Sequence, residues 1–453
     1  ALILMVRKLL GVTKWSGPAD SIYALHQQKI GVDVRVGLGS TLAAFISASG
    51  GASVGQYGPL VHFGSTVATI LSRFPGLQIN RDILLACGVA AAISAGFNAP
   101  IAGIIFAHEA LLRRFSIGAV APISVAAIVA SASNQYFGFA NLAFVVPSAN
   151  LELAGVVPFL ILFAPICSAV AVIYMLSLRQ GMKFAASGKY SFTTLIFSTA
   201  IVVGLIGAVL PDVLGLGSSQ INNMVNGQYT LAFLALILIA KILVTTACIS
   251  FGFFGGVFGP ALFVGAALGG ILAGLLVEIG LPVDYGGIIT IATLAAVGSS
   301  VIGAPISVVL IVVELTGSYD YGLMALLSVT LCSTLTYRFF GLSYFDRQLL
   351  DRGVDLTRGR EHINMTQIHV AELQLSDSLS FQRNTTSEHI LQSMRENQTT
   401  EVYILNEDRS LFGKLDLHNL ISSMDDFEAN IDKSPTKLDT ANSLVEALEI
   451  ASE

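Results

Sequence analysis

Two short loops constrain this chain more than any other feature. Gly55-Gln56-Tyr57-Gly58-Pro59 and Gly256-Val257-Phe258-Gly259-Pro260 share the form Gly-x-aromatic-Gly-Pro. Each is followed by an Ala-Pro-Ile step, Ala99-Pro100-Ile101 and Ala304-Pro305-Ile306, and then by a glutamate nine residues past the proline, Glu109 and Glu314. The two prolines lie 41 residues apart in the first half and 45 in the second. Proline suits the first turn of a helix, where its missing N–H would have no partner. The glycines let the backbone approach something closely. A tight turn between two helices is the competing reading for either loop alone. The two together, in order, predict a duplicated unit in which each half brings a broken-helix N-terminus to one central site.

Only 12% of the 453 residues are charged, 54% are hydrophobic, and the mean hydropathy is +0.73. Soluble domains carry roughly 25% charge, so the partner of this chain is a lipid bilayer. The net charge of -6 gives no basic footprint and excludes nucleic acid. Apolar segments run from Val36 to Phe340. Val156–Leu178, Phe192–Leu210 and Leu231–Ile249 approach the ~20 residues that cross a ~30 Å core. Others are interrupted: Ile83–Ala95 restarts as Ile101–Leu112, and Ile288–Ile302 restarts as Ile306–Leu315. Broken helices at membrane depth belong where their ends line a cavity or are buried in protein. Cys87, Cys167, Cys248 and Cys332 lie in apolar stretches without metal-ligand spacing, so no metal is expected. The chain opens inside an apolar run, Ala1–Val6, followed by Arg7-Lys8, and reads as the tail of a helix whose start is missing.

Past Tyr344 the composition turns polar. The reading is a transmembrane domain over 1–350, a linker over 351–367 and a small α/β module over 368–453. Within the module the pattern predicts a helix over Ser387–Gln398, strands over Glu401–Leu405 and Ser410–Leu415, and a helix over Leu417–Met424. The unit then begins again from Lys437 and is incomplete.

A helix start offers free N–H groups and the positive end of a dipole, which favours an anion. Lys241 either adds a positive charge to that region or pairs with a carboxylate for structure. Glu109 and Glu314 are candidates for an ion or proton pathway, or hold helix ends together. His62 and His108 sit on apolar helices, either as core residues or as titrating groups. Ser53-Val54-Gly55-Gln56-Tyr57-Gly58 faintly resembles a potassium filter, but Gln56, Pro59 and the matching second loop argue against a cation. No H-E-x-x-H, no G-x-S-x-G and no paired intramembrane aspartates suggest an enzyme.

These residues resemble the CLC family of chloride channels and chloride/proton exchangers. The first loop looks like the family's G-R-E-G-P and the second like its G-I-F-x-P. Ser16-Gly17 falls at its G-S-G-I-P serine, and Tyr344 at the tyrosine closing the membrane domain. Gly96-Phe97-Asn98-Ala99-Pro100-Ile101-Ala102-Gly103 is the nearest match, and the tail resembles a pair of CBS motifs. The resemblance implies an all-α polytopic fold with two inverted repeats, a homodimer with one pore per subunit, and a multi-pass protein of the plasma (inner) membrane with a cytosolic tail. It implies an anion site from Ser16, Gly17, Tyr57, Gly58, Val257, Phe258 and Tyr344, with no cofactor beyond a possible adenine nucleotide at the CBS region.

The departures are as informative. The family's loop glutamate, which gates the path and carries protons, is replaced by Tyr57, and the arginine before it by Gln56. A phenol with an ordinary pKa near ~10 donates a hydrogen bond to chloride but supplies no charge at neutral pH. The position of the second proton-carrying glutamate is Ala110. Trp15 precedes Ser16, and Pro18 comes one place early. The function expected is passive conduction of chloride and similar monovalent anions without proton coupling, with Tyr57 as gate. The alternatives are an exchanger whose proton route runs through His108 or Glu109, and a nucleotide-sensing CBS module tethered to a vestigial pore.

Overall fold

In the computed structural model the described residues are 1–26, 32–74, 79–138, 144, 146, 153–280, 282–356, 359, 365, 368–373, 378–422 and 428–452. The chain forms two compact units, 1–356 and 357–453. Most of the expected 351–367 linker lies outside the described residues.

The first unit is helical. Its elements are α1 (Leu2–Leu10), α2 (Pro18–His26), α3 (Val34–Ser49), α4 (Tyr57–Leu71), α5 (Arg81–Phe97), α6 (Pro100–Phe106), α7 (Ile117–Tyr136) and α8 (Leu153–Ala186), then α9 (Phe192–Val209), α10 (Ser218–Val225), α11 (Leu231–Ser250), α12 (Phe258–Glu278), α13 (Tyr285–Ile302), α14 (Pro305–Thr316), α15 (Tyr319–Phe340) and α16 (Tyr344–Leu350). Among the described residues seven helices are long and apolar enough to cross a bilayer. α12 and α13 are buried along most of their length and form the centre. α6 runs on into a π-helical turn, Ala107–Leu112.

The breaks fall where the sequence places them. α5 ends at Asn98, held in the left-handed region (φ 53°), and α6 restarts at Pro100. In the second half Gly303 takes the same conformation (φ 73°) between α13 and α14. Asn and Gly are the residues that accept this cap geometry. The halves also pack alike: α3 on α4, α4 on α5 and α5 on α7 correspond to α11 on α12, α12 on α13 and α13 on α15. Where α4 crosses α5, Gly64 meets Gly88, and a Cβ on Gly64 would lie 2.1 Å from the Gly88 carbonyl oxygen. Small residues at such crossings let helices approach closely in lipid.

The second unit carries a three-stranded sheet in the order β1 (Ser380–Gln382), β2 (Glu401–Leu405), β3 (Leu411–Asp416), with β1 parallel and β3 antiparallel to β2. Helices Ser387–Glu396 and Leu417–Ser422 close a core of Ile390, Met394, Val402, Ile404, Leu415 and Leu420. β1 is missed by the sequence reading because three residues give too short an alternation to register.

Candidate anion site

The two Gly-x-aromatic-Gly-Pro loops meet. Gly55 and Gly256 form an antiparallel bridge, with Gly55 N–H donating to Gly256 O at 2.7 Å and Gly256 N–H to Gly55 O at 2.6 Å. Such a bridge between equivalent residues carries a local twofold axis that relates the two loops. α4 and α12 start directly after it, with Gln56 and Val257 as N-caps that supply no side-chain acceptor. First-turn N–H groups have no acceptor within their own helix. Two positive helix ends are thereby set side by side, which suits an anion.

The other pair of helix starts is not available to an anion. Glu109 accepts the N–H groups of Ile306 (2.9 Å) and Ser307 (2.8 Å) and the Ser307 hydroxyl (2.5 Å) at the start of α14. Glu314 accepts those of Ile101 (3.0 Å) and Ala102 (2.8 Å) at the start of α6. α6 with its π turn and α14 thus lie antiparallel, each capped by the other's carboxylate. Of the four helix starts, those at Tyr57 and Phe258, one from each half, lie beside the bridged loops, while those at Pro100 and Pro305 are closed by the chain's own glutamates.

Cavities lie to either side of the bridged loops. The first, of about 120 Å3, is lined by Gly55, Gln56, Tyr57 and Phe97 together with Ser218 and Asn222. The second, of about 570 Å3, is lined by Trp15, Gly17, Pro18, Gly256, Val257 and Tyr344. A small apolar void of about 20 Å3 shares Tyr57 with the first and Pro18 and Phe345 with the second, and also touches Gly58 and Phe258. The four segments around Gly17, Tyr57, Val257 and Tyr344 therefore converge.

The second cavity is electropositive. Arg7, Lys14, Arg179, Lys183 and Arg352 line it against Asp20 and Asp351, a difference of three positive charges. Arg179 pairs with Asp351 and Arg352 with Asp20, each at 2.7 Å. Burial, then Arg352, lowers the Lys14 ammonium below its ordinary pKa, with Asp20 opposing. Asp351 is lowered chiefly by its hydrogen bonds from Arg179. A cavity of one sign raises the local concentration of the opposite ion.

The individual ligands implied by the resemblance stand as follows. Ser16 lies between cavity residues Trp15 and Gly17, and its N–H donates to Ser40 Oγ at 2.9 Å. The Gly17 N–H donates to the Asp20 carboxylate at 2.7 Å, so it is already engaged. The Tyr344 hydroxyl donates to Met182 Sδ (3.6 Å) and accepts from Gln348 (3.1 Å). Tyr57 stacks on Phe97, with ring centroids 3.6 Å apart.

Other candidates lie away from these cavities. His108 stacks on Phe115 at 5.0 Å and turns Nδ1 to the Arg114 carbonyl. His62 binds Ser21 Oγ through Nδ1 at 2.8 Å. Among the described residues Lys241 pairs with no carboxylate, contrary to one expectation. Its ammonium donates to the carbonyls of Val213 (2.9 Å) and Gly215 (3.1 Å) and lies over the Phe263 ring. Sequence reasoning missed Phe97 and Asp20, since an aromatic at a helix end and a carboxylate in a first turn both pass for structure.

The Voltage gated chloride channel family model matches residues 1–337. The chain is 28% identical over 341 residues to a putative chloride channel protein of Ralstonia nicotianae, covering 70% of this chain and 76% of that protein. It is 27% identical over 313 residues to the H(+)/Cl(-) exchange transporter ClcA of Vibrio parahaemolyticus, covering 67% of this chain and 66% of that protein. Among solved structures, a slow cyanobacterial Cl-/H+ antiporter superposes with a TM-score of 0.70 at 19% identity, over 78% of this chain and 84% of its own. A eukaryotic CLC transporter gives 0.66 at 15% identity, over 98% of this chain and 82% of its own. These two likenesses speak to the fold. With the family match spanning most of its length, the chain belongs to the voltage gated chloride channel family of multi-pass membrane proteins.

Proposed function

We propose that this protein conducts chloride and similar monovalent anions passively, without moving protons. The observation that carries the reading is Tyr57: at the start of α4, between two cavities, the chain presents a phenol in place of the loop carboxylate that the family resemblance implies. Ala110 supplies no second carboxylate, and both oxygens of the adjacent Glu109 are engaged at the α14 start. The anion is drawn by the basic second cavity and the paired helix ends. Backbone N–H groups bind it without a full opposing charge, which lets it leave as well as enter.

The exchange reading is favoured by one observation, that relatives in several Vibrio species are named H(+)/Cl(-) exchange transporters. A liposome assay that records chloride and pH together decides between them. Chloride flux without proton movement supports conduction, and proton uptake driven by a chloride gradient defeats it.

Two further assignments rest on the family likeness. We propose a homodimer in the plasma (inner) membrane with one path per subunit; a single-subunit mass for the full chain in mild detergent would refute it. We also propose that the 368–453 module is a cytosolic CBS region that binds an adenine nucleotide. Failure of both AMP and ATP to stabilise that unit in the full-length protein would count against this.

A further inference from the structure

The Tyr57 and Phe97 rings lie face to face, their planes 9° apart and centroids 3.6 Å apart. Both present themselves to the Phe258 ring edge-on, at 5.9 Å and 5.6 Å. Phe97 is the last residue of α5 and is buried, 1% exposed. The residue before it is Gly96, where a Cβ would come within 3.3 Å of Tyr57 Cδ1 and Cε1. The end of α5 is therefore a seat for the tyrosine ring, walled by Phe97 and kept open at Gly96. Phe97 lines the first cavity, Phe258 the apolar void, and Tyr57 both. A near-eclipsed stack is less favoured than an offset or edge-on pair, so the seat holds the ring without holding it tightly.

We propose that Phe97 is the latch of the tyrosine gate. The seat keeps the Tyr57 ring across the path, and opening is the departure of that ring from the stack. Phe97 is thus a positioning residue: it acts on the anion only through Tyr57. The inference rests on the reading of Tyr57 as the gate, and the test separates the two.

The test is chloride efflux from liposomes at equal amounts of reconstituted full chain. Phe97→Leu keeps an apolar side chain and removes the ring, and should raise flux ~2-fold, the factor for ~0.5 kcal/mol of ring pairing, the low end that suits a near-eclipsed stack, at 1.4 kcal/mol per tenfold. Phe97→Tyr keeps a ring and should raise it less. In a Tyr57→Ala background Phe97→Leu should add nothing, an outcome that general loosening of the fold would not give. Phe97→Met is the second variant, with the expectation of Phe97→Leu. Unchanged or reduced flux in Phe97→Leu and Phe97→Met, while Tyr57→Ala raises it, overturns the latch and leaves the gate. Unchanged flux in Tyr57→Ala overturns the gate and the latch with it.

Discussion

The reciprocal carboxylate caps make a prediction that can be worked from distances. Glu314 holds two first-turn N–H groups of α6, and Glu109 holds two of α14 plus the Ser307 hydroxyl. Loss of a helix cap costs ~1 kcal/mol, and loss of a partly buried charge at a helix end up to ~2 kcal/mol. Glu314→Ala should therefore destabilise by ~2–3 kcal/mol. Glu109→Ala also strands a hydroxyl on Ser307, which is fully buried, and that adds ~1 kcal/mol. The glutamine variants keep one acceptor oxygen without the charge and should fall about halfway. The assay is thermal unfolding of the full chain in detergent, with anion flux measured on the same preparations. The expected order of loss is Glu109→Ala, then Glu314→Ala, then the glutamine variants, with flux per folded molecule largely kept in the last. Abolished flux in Glu109→Gln at undiminished thermal stability would place the carboxylate on a transport route and refute its role as a cap.

Three other outcomes follow from the same geometry. Tyr57→Ala removes the ring shared by the first cavity and the apolar void, so chloride efflux should rise several-fold; unchanged efflux would mean that the constriction lies elsewhere. Lys241→Met strands the carbonyls of Val213 and Gly215, and at ~1–3 kcal/mol for an unmet buried polar group should lower the thermal midpoint in detergent; an unshifted midpoint would show that those carbonyls find other donors. The Arg179–Asp351 pair lowers the Asp351 pKa, so its contribution is present above the ordinary carboxylate value near ~3.9 and is lost as pH falls through the lower folded value. Both side chains are partly exposed, which limits the pair to ~1 kcal/mol or less. Asp351→Asn should then cost slightly at pH 7 and nothing in strong acid, as read by thermal midpoints, and a cost that persists in acid would contradict the assignment.

The fold was legible where one physical rule dominates. Hydropathy located Phe192–Val209 and Leu231–Ser250 almost to the residue, since crossing a bilayer demands length and apolarity together. The breaks at Asn98 and Gly303 were readable because a left-handed cap followed by proline leaves few alternatives. The pairing of Gly55 with Gly256 was hinted at by the repeat, but the antiparallel bridge was not, because a repeat in sequence carries no direction in space. The glutamates show the limit most clearly. Their equal spacing from Pro100 and Pro305 marked them as a pair, yet which helix end each reaches depends on how α6 and α14 are laid together. For Lys241 the sequence left open a charge for the anion region or a pair with a carboxylate, whereas two backbone carbonyls and the Phe263 ring hold it. Phe97 gave no sign, because a phenylalanine in an apolar helix has no feature that separates packing from gating.

The central claim is that Tyr57, standing where a carboxylate would link anions to protons, leaves the two uncoupled. The most direct measurement is the joint record of chloride and pH in liposomes holding the full chain, with a chloride gradient as the only driving force. The account predicts chloride efflux, limited by membrane voltage and released by a potassium ionophore, with no proton uptake beyond that of empty vesicles. Proton uptake in fixed proportion to chloride efflux, abolished together with it by a path-blocking substitution, would contradict it.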